Sequence, residues 1–242
     1  MSNRIKFFVL ALLLTFFSCQ DNSEVTGNVP TINKIMPLGA SRVEGARPVH
    51  ESYRYELWKL LVDNNWVFDF IGTMNDPASY PVYLGQGFDD DHEGRGGLTS
   101  GQILTGINNW LAQAGAPDVV LFSSPGGNDA LQNLPYADAI NNINAIIDAI
   151  QASNPNVTII IEKLAPARSD QMTPTLTAYF NQMQQDITVI ATQQSTLTSQ
   201  VTVVDIATGF NDSFFADSVH YNETGAAFVA SRYYNVLINV LR

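Results

Sequence analysis

The stretch Lys34-Ile-Met-Pro-Leu-Gly-Ala-Ser-Arg-Val-Glu-Gly45 decides how the rest of the chain is interpreted. Its apolar run, Ile35 to Leu38, ends abruptly at Gly39, and a charged segment that contains glycine follows. This pattern predicts a first buried strand that delivers Ser41 onto a tight turn at the carboxyl edge of a parallel sheet, where ligands gather in open α/β folds. A lone Gly-x-Ser is also an ordinary turn sequence, so the remaining segments must decide between the two interpretations.

Strand-like and helix-like segments alternate along the rest of the chain. Apolar and β-branched runs predict four more strands, at 66–71, 118–122, 157–161 and 201–206. Helical periodicity predicts helices at 52–62, 99–114, 136–152, 174–197 and 223–241, and residues 73–99 form a long loop. Because such alternation with right-handed crossovers leaves few topologies, we predict an α/β fold: a flavodoxin-like three-layer α/β/α sandwich of about five parallel strands in the order 2-1-3-4-5.

Length and charge narrow the possible functions. The 242 residues fit one medium domain, and a hydrophobic content of 45% is that of a globular protein. Twelve lysines and arginines stand against 23 acidic residues, which gives a formal charge of −11. Such an acidic surface is a poor match for nucleic acid or for an anionic membrane. We therefore expect no nucleic-acid partner.

The N-terminal residues have the pattern of an export signal. Arg4 and Lys6 precede an apolar run, 7–17, that is too short to span a bilayer as a mature helix. Small Ser18 and then Cys19, the only cysteine, follow this run. The segment resembles a bacterial lipoprotein signal, in which such a cysteine is lipidated and becomes the mature N-terminus; an ordinary secretory signal is the alternative.

This pattern predicts a division of the chain into three parts. Residues 1–19 are a signal peptide of the lipoprotein type, 20–30 form a polar tether, and 31–242 form the folded domain. We expect the protein to be exported and held at a bacterial membrane, on the periplasmic side or at the cell surface, only through a lipid on Cys19. Without lipidation it would be secreted.

Two further polar clusters follow predicted strands. Ser124-Pro-Gly-Gly-Asn-Asp129 comes after the third strand, and Asp217-Ser-Val-His220 comes soon after the fifth. Taken alone, the first is a good turn with a helix cap and the second a solvated pair. Their joint order behind Ser41, each after its own strand, favours one site at the carboxyl edge of the sheet.

The order of these clusters resembles the SGNH hydrolases, also called GDSL esterases and lipases, over residues 31–242. The signature blocks of that family fall on Ser41, Gly97, Gly126-Gly-Asn-Asp129 and Asp217-Ser-Val-His220. More narrowly, four segments resemble carbohydrate esterase family 3, the acetyl xylan esterases. They are Met36-Pro-Leu-Gly39, Ser52-Tyr-Arg-Tyr-Glu-Leu-Trp58, Phe68-Asp-Phe-Ile-Gly72 and His92-Glu-Gly-Arg-Gly-Gly97.

The resemblance implies a role for each residue. Ser41 would be the nucleophile, His220 its general base, and Asp217 the group that fixes the imidazole tautomer. The oxyanion hole would consist of the Ser41 and Gly97 amides and the Asn128 side chain. These residue types suit acyl transfer, because a serine hydroxyl is a weak nucleophile at neutral pH without a base in hydrogen-bond reach. The chemistry needs no cofactor.

Two features depart from the family pattern. Position 40 is alanine where the family usually has aspartate, which removes a carboxylate beside the nucleophile. Arg95 stands where relatives often have histidine, and Arg42 follows the nucleophile directly. Either arginine could meet substrate, but we expect both at the surface.

The other histidines suggest no second site. His50 has no obvious partner in the sequence, so we expect it at the surface. His92 lies beside Asp89, Asp90, Asp91 and Glu93, an oxygen-rich cluster of the kind that suits calcium. Because consecutive residues of a loop cannot all face one ion, the sequence predicts no metal site.

The combined interpretation is a serine esterase that removes small acyl groups, mainly acetyl, from carbohydrate esters. One alternative keeps the mechanism but acts on lipids or other simple esters. The other, motivated by Ala40, is an inactive surface lipoprotein that binds glycan. The oligomeric state is not indicated by the sequence.

Overall fold

The computed structural model describes residues 32–242, which form a parallel β-sheet between two layers of helices. The predicted signal peptide 1–19, the lipidation site Cys19 and the tether 20–30 lie outside the described residues. No helix among the described residues is long and apolar enough to cross a membrane.

The sheet has the predicted order. Its strands are β1 (Asn33–Gly39), β2 (Phe68–Phe70), β3 (Glu93–Gly94), β4 (Val119–Phe122), β5 (Thr158–Lys163) and β6 (Val201–Asp205). They run in the order β2-β1-β4-β5-β6, with β3 paired to the end of β1, and every pairing is parallel. The predicted order 2-1-3-4-5 is confirmed, since the short β3 only shifts the numbering.

The helices form the two outer layers. They are α1 (Ser41–Glu44), α2 (Arg54–Asp63), α3 (Ser100–Ala114), α4 (Gly127–Leu131), α5 (Tyr136–Ser153), α6 (Pro174–Gln194) and α7 (Glu223–Leu237). Helices α3, α5 and α6 pack on one face of the sheet, and α2 and α7 pack on the other. The predicted three-layer architecture is confirmed.

Strand β4 contributes apolar side chains to the cores on both faces of the sheet. Val120 and Phe122 join the core under α3, α5 and α6, whereas Val119 and Leu121 join the core under α2 and α7. Successive side chains of a strand point to opposite faces, so a strand covered on both faces must be apolar at every position. This explains the unbroken apolar run in the sequence.

Pro37 lies in the central strand β1, where proline is normally excluded because it cannot donate to the ladder. On the β2 side, β1 pairs with β2 only as far as Ile35 and with β3 only from Leu38 onward. The carbonyls of Ile35 and Gly39 point to this side, and residues alternate, so the missing amide of Pro37 faces the gap between the two short strands. The strand therefore tolerates proline.

Some predicted boundaries are wrong by a few residues. The second strand is limited to Phe68–Phe70, because the chain leaves the sheet after three paired residues. The last helix ends at Leu237 rather than near 241, and α6 ends at Gln194 rather than near 197. The loop 73–99 contains β3, a two-residue strand too short to give a sequence pattern.

Candidate active site

Ser41 lies where the central strand ends. Strand β1 stops at Gly39, and Ser41 is the first residue of the short helix α1. A Cβ atom at Gly39 would lie 2.8 Å from Val43 Cγ2 and 2.9 Å from the Ser123 carbonyl oxygen, which is too close for any side chain. Glycine is therefore required for the chain to turn here and present the half-buried serine at the carboxyl edge of the sheet.

Asp217 and His220 meet Ser41 at this edge. The Ser41 Oγ lies 2.8 Å from His220 Nε2, and His220 Nδ1 lies 2.7 Å from Asp217 Oδ2. A carboxylate only accepts hydrogen bonds, so Nδ1 carries the proton and Nε2 is left to accept from the serine hydroxyl. This arrangement can move a proton from Ser41 to His220.

The loop around Asp217 holds that carboxylate in its ionised form. Partial burial opposes ionisation, but hydrogen bonds from the Val219 and His220 amides and from the His220 ring outweigh it and lower the pKa of Asp217 to about 2. Both amides donate to Asp217 Oδ1 at 2.8 Å. Asp217 is thus a carboxylate at neutral pH and far into the acid range.

The three residues predicted to form the oxyanion hole have donors available. Among residues 32–242, the amides of Ser41 and Gly97 have no hydrogen-bond acceptor. Asn128 Nδ2 donates to the Leu98 carbonyl at 2.8 Å, which fixes the side chain and leaves its second hydrogen free. At Gly97 a Cβ would meet nothing within 4 Å, but the φ of +77° is a conformation that favours glycine.

Arg42, expected at the surface, is buried with 8% of its surface exposed. Its guanidinium donates to the carbonyls of Val219 at 2.8 Å, Ala165 at 2.9 Å and Pro166 at 2.9 Å. The prediction was wrong because these acceptors come from two loops more than 120 residues away in sequence. Arg42 joins the nucleophile turn to the loop after β5 and to the loop that carries His220.

His50, also expected at the surface, is half-buried and stacks on His220. The two ring centroids are 3.9 Å apart and the planes differ by 17°. The stack could not be read from the sequence, since the two histidines are far apart in the chain and His50 belongs to no motif.

Arg95 and His92 lie in the neighbouring loop and serve its structure. Arg95 pairs with Glu93 at 2.7 Å and lies over the Trp110 ring at 4.4 Å. His92 is buried, and its Nδ1 accepts from the Gly94 amide at 2.9 Å. Burial, reinforced by nearby arginines, lowers the pKa of His92 to about 3, so the ring is neutral.

Among the described residues, His50, Asp217 and His220 place potential metal-binding atoms within 4.8 Å of one another. Stacked imidazoles hold their nitrogen lone pairs in nearly parallel planes, so two of them cannot point at one ion. The two nitrogens of His220 are in addition already bonded to Ser41 and Asp217. The geometry suits proton transfer rather than metal ligation.

Two cavities adjoin the nucleophile. The first, of about 40 Å³, is mostly apolar and is lined by Ala40, Ser41, Arg42, Ser124, Gly127, Asn128, Leu131, Leu164, Ala167, Phe180 and Val219. The second is a groove of about 490 Å³ that shares Leu131 and Val219 with the first. Its lining mixes apolar side chains, among them Leu134, Leu176 and Tyr179, with polar ones such as Asn133, Gln171 and Thr173.

A comparison with models of protein families assigns the chain to a family. The model of the GDSL-like lipase/acylhydrolase family matches residues 63–228. The chain belongs to the GDSL-like lipase/acylhydrolase family. It is therefore a carboxylic ester hydrolase, as the sequence predicted. The matched segment includes Asn128, Asp217 and His220 and begins after Ser41. Comparison with curated proteins gives no match.

The solved structures similar to this GDSL-family esterase include carbohydrate esterases. A family 3 carbohydrate esterase from Clostridium thermocellum is 32% identical, with a TM-score of 0.70 over 88% of this chain and 98% of its own. One from Talaromyces cellulolyticus is 29% identical, with a TM-score of 0.74 over 86% and 97% of the two chains. A mutant acetyl esterase with an acetate ion gives the same values as the Talaromyces enzyme.

The structure thus brings together Ser41, Asp217 and His220 and places the Gly97 and Asn128 donors in neighbouring loops. Their catalytic roles remain predictions that only activity measurements can test. Asp129, the other residue of the Gly-x-Asn-Asp block, is buried and accepts from the Ser100 amide at 2.8 Å and the Ser100 hydroxyl at 2.6 Å. It anchors the Asn128 loop to the start of α3.

Proposed function

We propose that this GDSL-family esterase removes small acyl groups, acetyl above all, from carbohydrate esters through an acyl-enzyme on Ser41. The observation that carries the proposal is the hydrogen-bonded series Ser41–His220–Asp217 at the carboxyl edge of the sheet. The carbohydrate esterases among the similar structures support the choice of substrate class.

The proposed reaction has two halves. Ser41 Oγ attacks the acyl carbonyl carbon while His220 Nε2 takes its proton, and the resulting oxyanion accepts hydrogen bonds from Ser41, Gly97 and Asn128. The intermediate collapses when the bond to the alcohol oxygen breaks and His220 returns the proton to that oxygen. Water then attacks the acyl carbon while His220 takes one of its protons. The bond between the acyl carbon and Ser41 Oγ breaks, His220 returns the proton to Oγ, and the carboxylic acid leaves.

The small cavity beside Ser41 supports a short acyl group. It measures about 40 Å³ and has mostly apolar walls, so it suits a methyl group better than a long chain. Phe180 and Leu164 are fully buried residues that help to close it. Extension of the acyl chain would require these packed side chains to move, which dense protein interiors resist.

The adjoining groove supports a carbohydrate as the alcohol part of the ester. Its volume of about 490 Å³ is within the range of small-molecule sites, and it opens beside Val219, one residue before His220. The amide side chains of Asn133 and Gln171 and the Thr173 hydroxyl can donate to and accept from sugar hydroxyls. Lipids and other simple esters are the alternative substrates.

We further propose that the protein is exported and acts at a membrane surface, held by a lipid on Cys19. This rests on the sequence of residues 1–19. Labelling cells that express the full chain with a radioactive fatty acid would test it: the wild type should carry label and Cys19→Ala should not.

The test of substrate class compares esters at matched concentration. Among p-nitrophenyl esters we expect kcat/KM to be highest for the acetate and to fall from butyrate to octanoate. We expect kcat/KM for release of acetate from acetylated xylo-oligosaccharides to exceed the value for p-nitrophenyl acetate. Ser41→Ala should abolish all of these activities. A preference for octanoate would contradict the small-acyl proposal, and a failure to release acetate from sugar esters would contradict the carbohydrate one.

A further inference from the structure

We infer that His50 is a positioning residue that stacks on His220 and holds its ring in the plane required for proton transfer from Ser41. This inference rests on the proposed function, since it presumes that His220 is the base. It extends that function to a residue outside the family's signature blocks.

The backbone brings the two rings together. The Glu51 amide donates to the Tyr221 carbonyl at 2.8 Å, and each of these residues directly follows one of the two histidines. His50 is itself held in a tight turn, since Ala46 and His50 exchange backbone hydrogen bonds of 3.1 and 3.3 Å. The stack is thus built on a fixed loop.

The stack restrains a motion that the hydrogen bonds of His220 leave free. Imidazole nitrogens form hydrogen bonds in the plane of the ring, and His220 forms one from Nδ1 to Asp217 and one from Nε2 to Ser41. The ring can rotate about the axis through Nδ1 and Nε2 without lengthening either hydrogen bond much. A flat side chain 3.9 Å from one face blocks that rotation and excludes water from the face.

His50 also suits the charge that His220 acquires. When His220 takes the proton of Ser41 it becomes an imidazolium, and the face of a neutral aromatic ring attracts a cation. Burial, and next the neighbouring His220, lower the pKa of His50, while Asp217 and a hydrogen bond with the Ser41 backbone act in the opposite direction. His50 is therefore uncharged at neutral pH and does not repel the imidazolium.

The His50 ring contacts His220 through its face and not through Nε2. Its Nε2 is buried and has no hydrogen-bond partner among residues 32–242. The contact with His220 is therefore made by the ring face, and any flat aromatic side chain of similar size should reproduce it.

The test compares three substitutions at His50 in the full-length protein with p-nitrophenyl acetate at pH 8. His50→Phe keeps a flat neutral ring, while His50→Gln and His50→Ala remove the ring. We expect kcat to fall about tenfold in the Gln and Ala variants with KM within twofold of the wild type, and we expect His50→Phe to keep at least a third of the wild-type kcat. Val49→Ala, at an adjacent residue that is 74% exposed, is the matched control and should leave both constants unchanged.

Melting temperatures and circular dichroism of the four variants separate function from folding. If His50→Ala does not fold, the kcat values of His50→Gln and His50→Phe alone show whether a flat ring is needed at this position. A kcat of folded His50→Gln within twofold of the wild type would overturn the inference, and so would a loss in His50→Phe equal to that in His50→Gln. His220→Ala distinguishes the two failures: full activity in that variant would overturn the proposed function itself, whereas its inactivity beside an active His50→Gln would overturn only the role of His50.

Discussion

At the scale of single residues, the proposed chemistry depends on the tautomer of His220. Asp217 accepts from Nδ1, and this leaves Nε2 free to receive the proton of Ser41. The same carboxylate also accepts two backbone amides of its own loop, so it cannot turn away from the ring without losing them. Three hydrogen bonds to the Asp217 carboxylate therefore keep the His220 proton on Nδ1.

Asp217→Asn tests this dependence. An amide group at position 217 can donate to Nδ1 and so favours the tautomer with the proton on Nε2, which cannot accept from Ser41. We expect kcat for p-nitrophenyl acetate to fall by roughly a thousand- to ten-thousandfold, with KM little changed. A loss of less than tenfold in a folded variant would mean that Asp217 does not set the tautomer.

Asn128→Ala tests the proposed oxyanion hole. Removing one donor to a developing oxyanion typically costs about a hundred- to a thousandfold in kcat. We expect a loss of that size here, with KM unchanged because the ground-state carbonyl gains little from the donor. Asn141→Ala, at an exposed position of α5, is the control. Equal activity of both variants would remove Asn128 from the mechanism.

Motifs predicted Ser41, Asp217 and His220 because each follows its own strand at a recognisable spacing. His50 and Arg42 were wrongly expected at the surface for a physical reason. Their partners lie about 120 to 180 residues away, and neither has a local pattern that reports such a contact. Only the assembled sheet edge shows that these side chains are covered.

At the scale of elements, the site is held by cross-links between loops. Arg42 connects the turn after β1 to the loop after β5 and to the loop before α7 through three carbonyl acceptors. Asp129 connects α4 to the start of α3. These links explain how residues on loops keep the geometry that catalysis requires.

Arg42→Ala should therefore impair both stability and catalysis. The change leaves three carbonyls without their charged donor, and hydrogen bonds to a charged group contribute about 1.5–3 kcal/mol each at most. We expect the free energy of unfolding to fall by roughly 3 kcal/mol, and kcat to fall at least tenfold at temperatures where the variant is folded. Arg232→Ala, which removes a guanidinium that donates to the exposed Thr208 carbonyl at 2.9 Å, is the control. A stable and fully active Arg42→Ala would show that the hydrogen bonds of Arg42 are not needed to hold these loops in place.

The attachment of β2 to the long loop gives a prediction about pH. Asp89 Oδ2 accepts from the Phe70 amide at 2.7 Å, and burial raises the pKa of Asp89 to about 6. A folded-state pKa above the ordinary value means that the stability contributed by protonated Asp89 is lost as the pH rises from about 4 through about 6.

Asp89→Asn removes the buried charge and keeps an acceptor oxygen for Phe70. We expect the melting temperature to rise by about 2–5 °C at pH 8 and to change little at pH 4.5. Asp148→Asn, at an exposed position of α5, should show no such dependence. An equal change at both pH values would show that the charge of Asp89 is not the cause.

Most elements followed from the sequence because hydrophobic periodicity is a local signal. The predicted start of α6 at residue 174 is confirmed, since Pro174 is the first helical residue and Thr173 is its N-cap. The two-residue strand β3 could not be predicted, since it exists only through its pairing with the end of β1. Pro37 would even have argued against a central strand.

At the scale of the whole molecule, the parallel sheet gathers distant segments at one edge. Ser41, Asn128 and His220 come from the ends of the first, fourth and sixth strands or the loops that follow them. The apolar runs that predicted the sheet therefore also predicted where a site should form. The resemblance of the motif order to the SGNH hydrolases then predicted an acyl-transfer site. The substrate remains a proposal because side-chain packing, not motif order, shapes the two cavities.

The central claim is that Ser41 is the nucleophile activated by His220, and covalent labelling tests it most directly. The protein would be treated with a fluorophosphonate, and its peptides would be examined by mass spectrometry. We predict a single major adduct on Ser41, loss of esterase activity in proportion to labelling, and no adduct in Ser41→Ala or His220→Ala. An adduct on a different serine, or esterase activity that survives complete labelling of Ser41, would contradict the account.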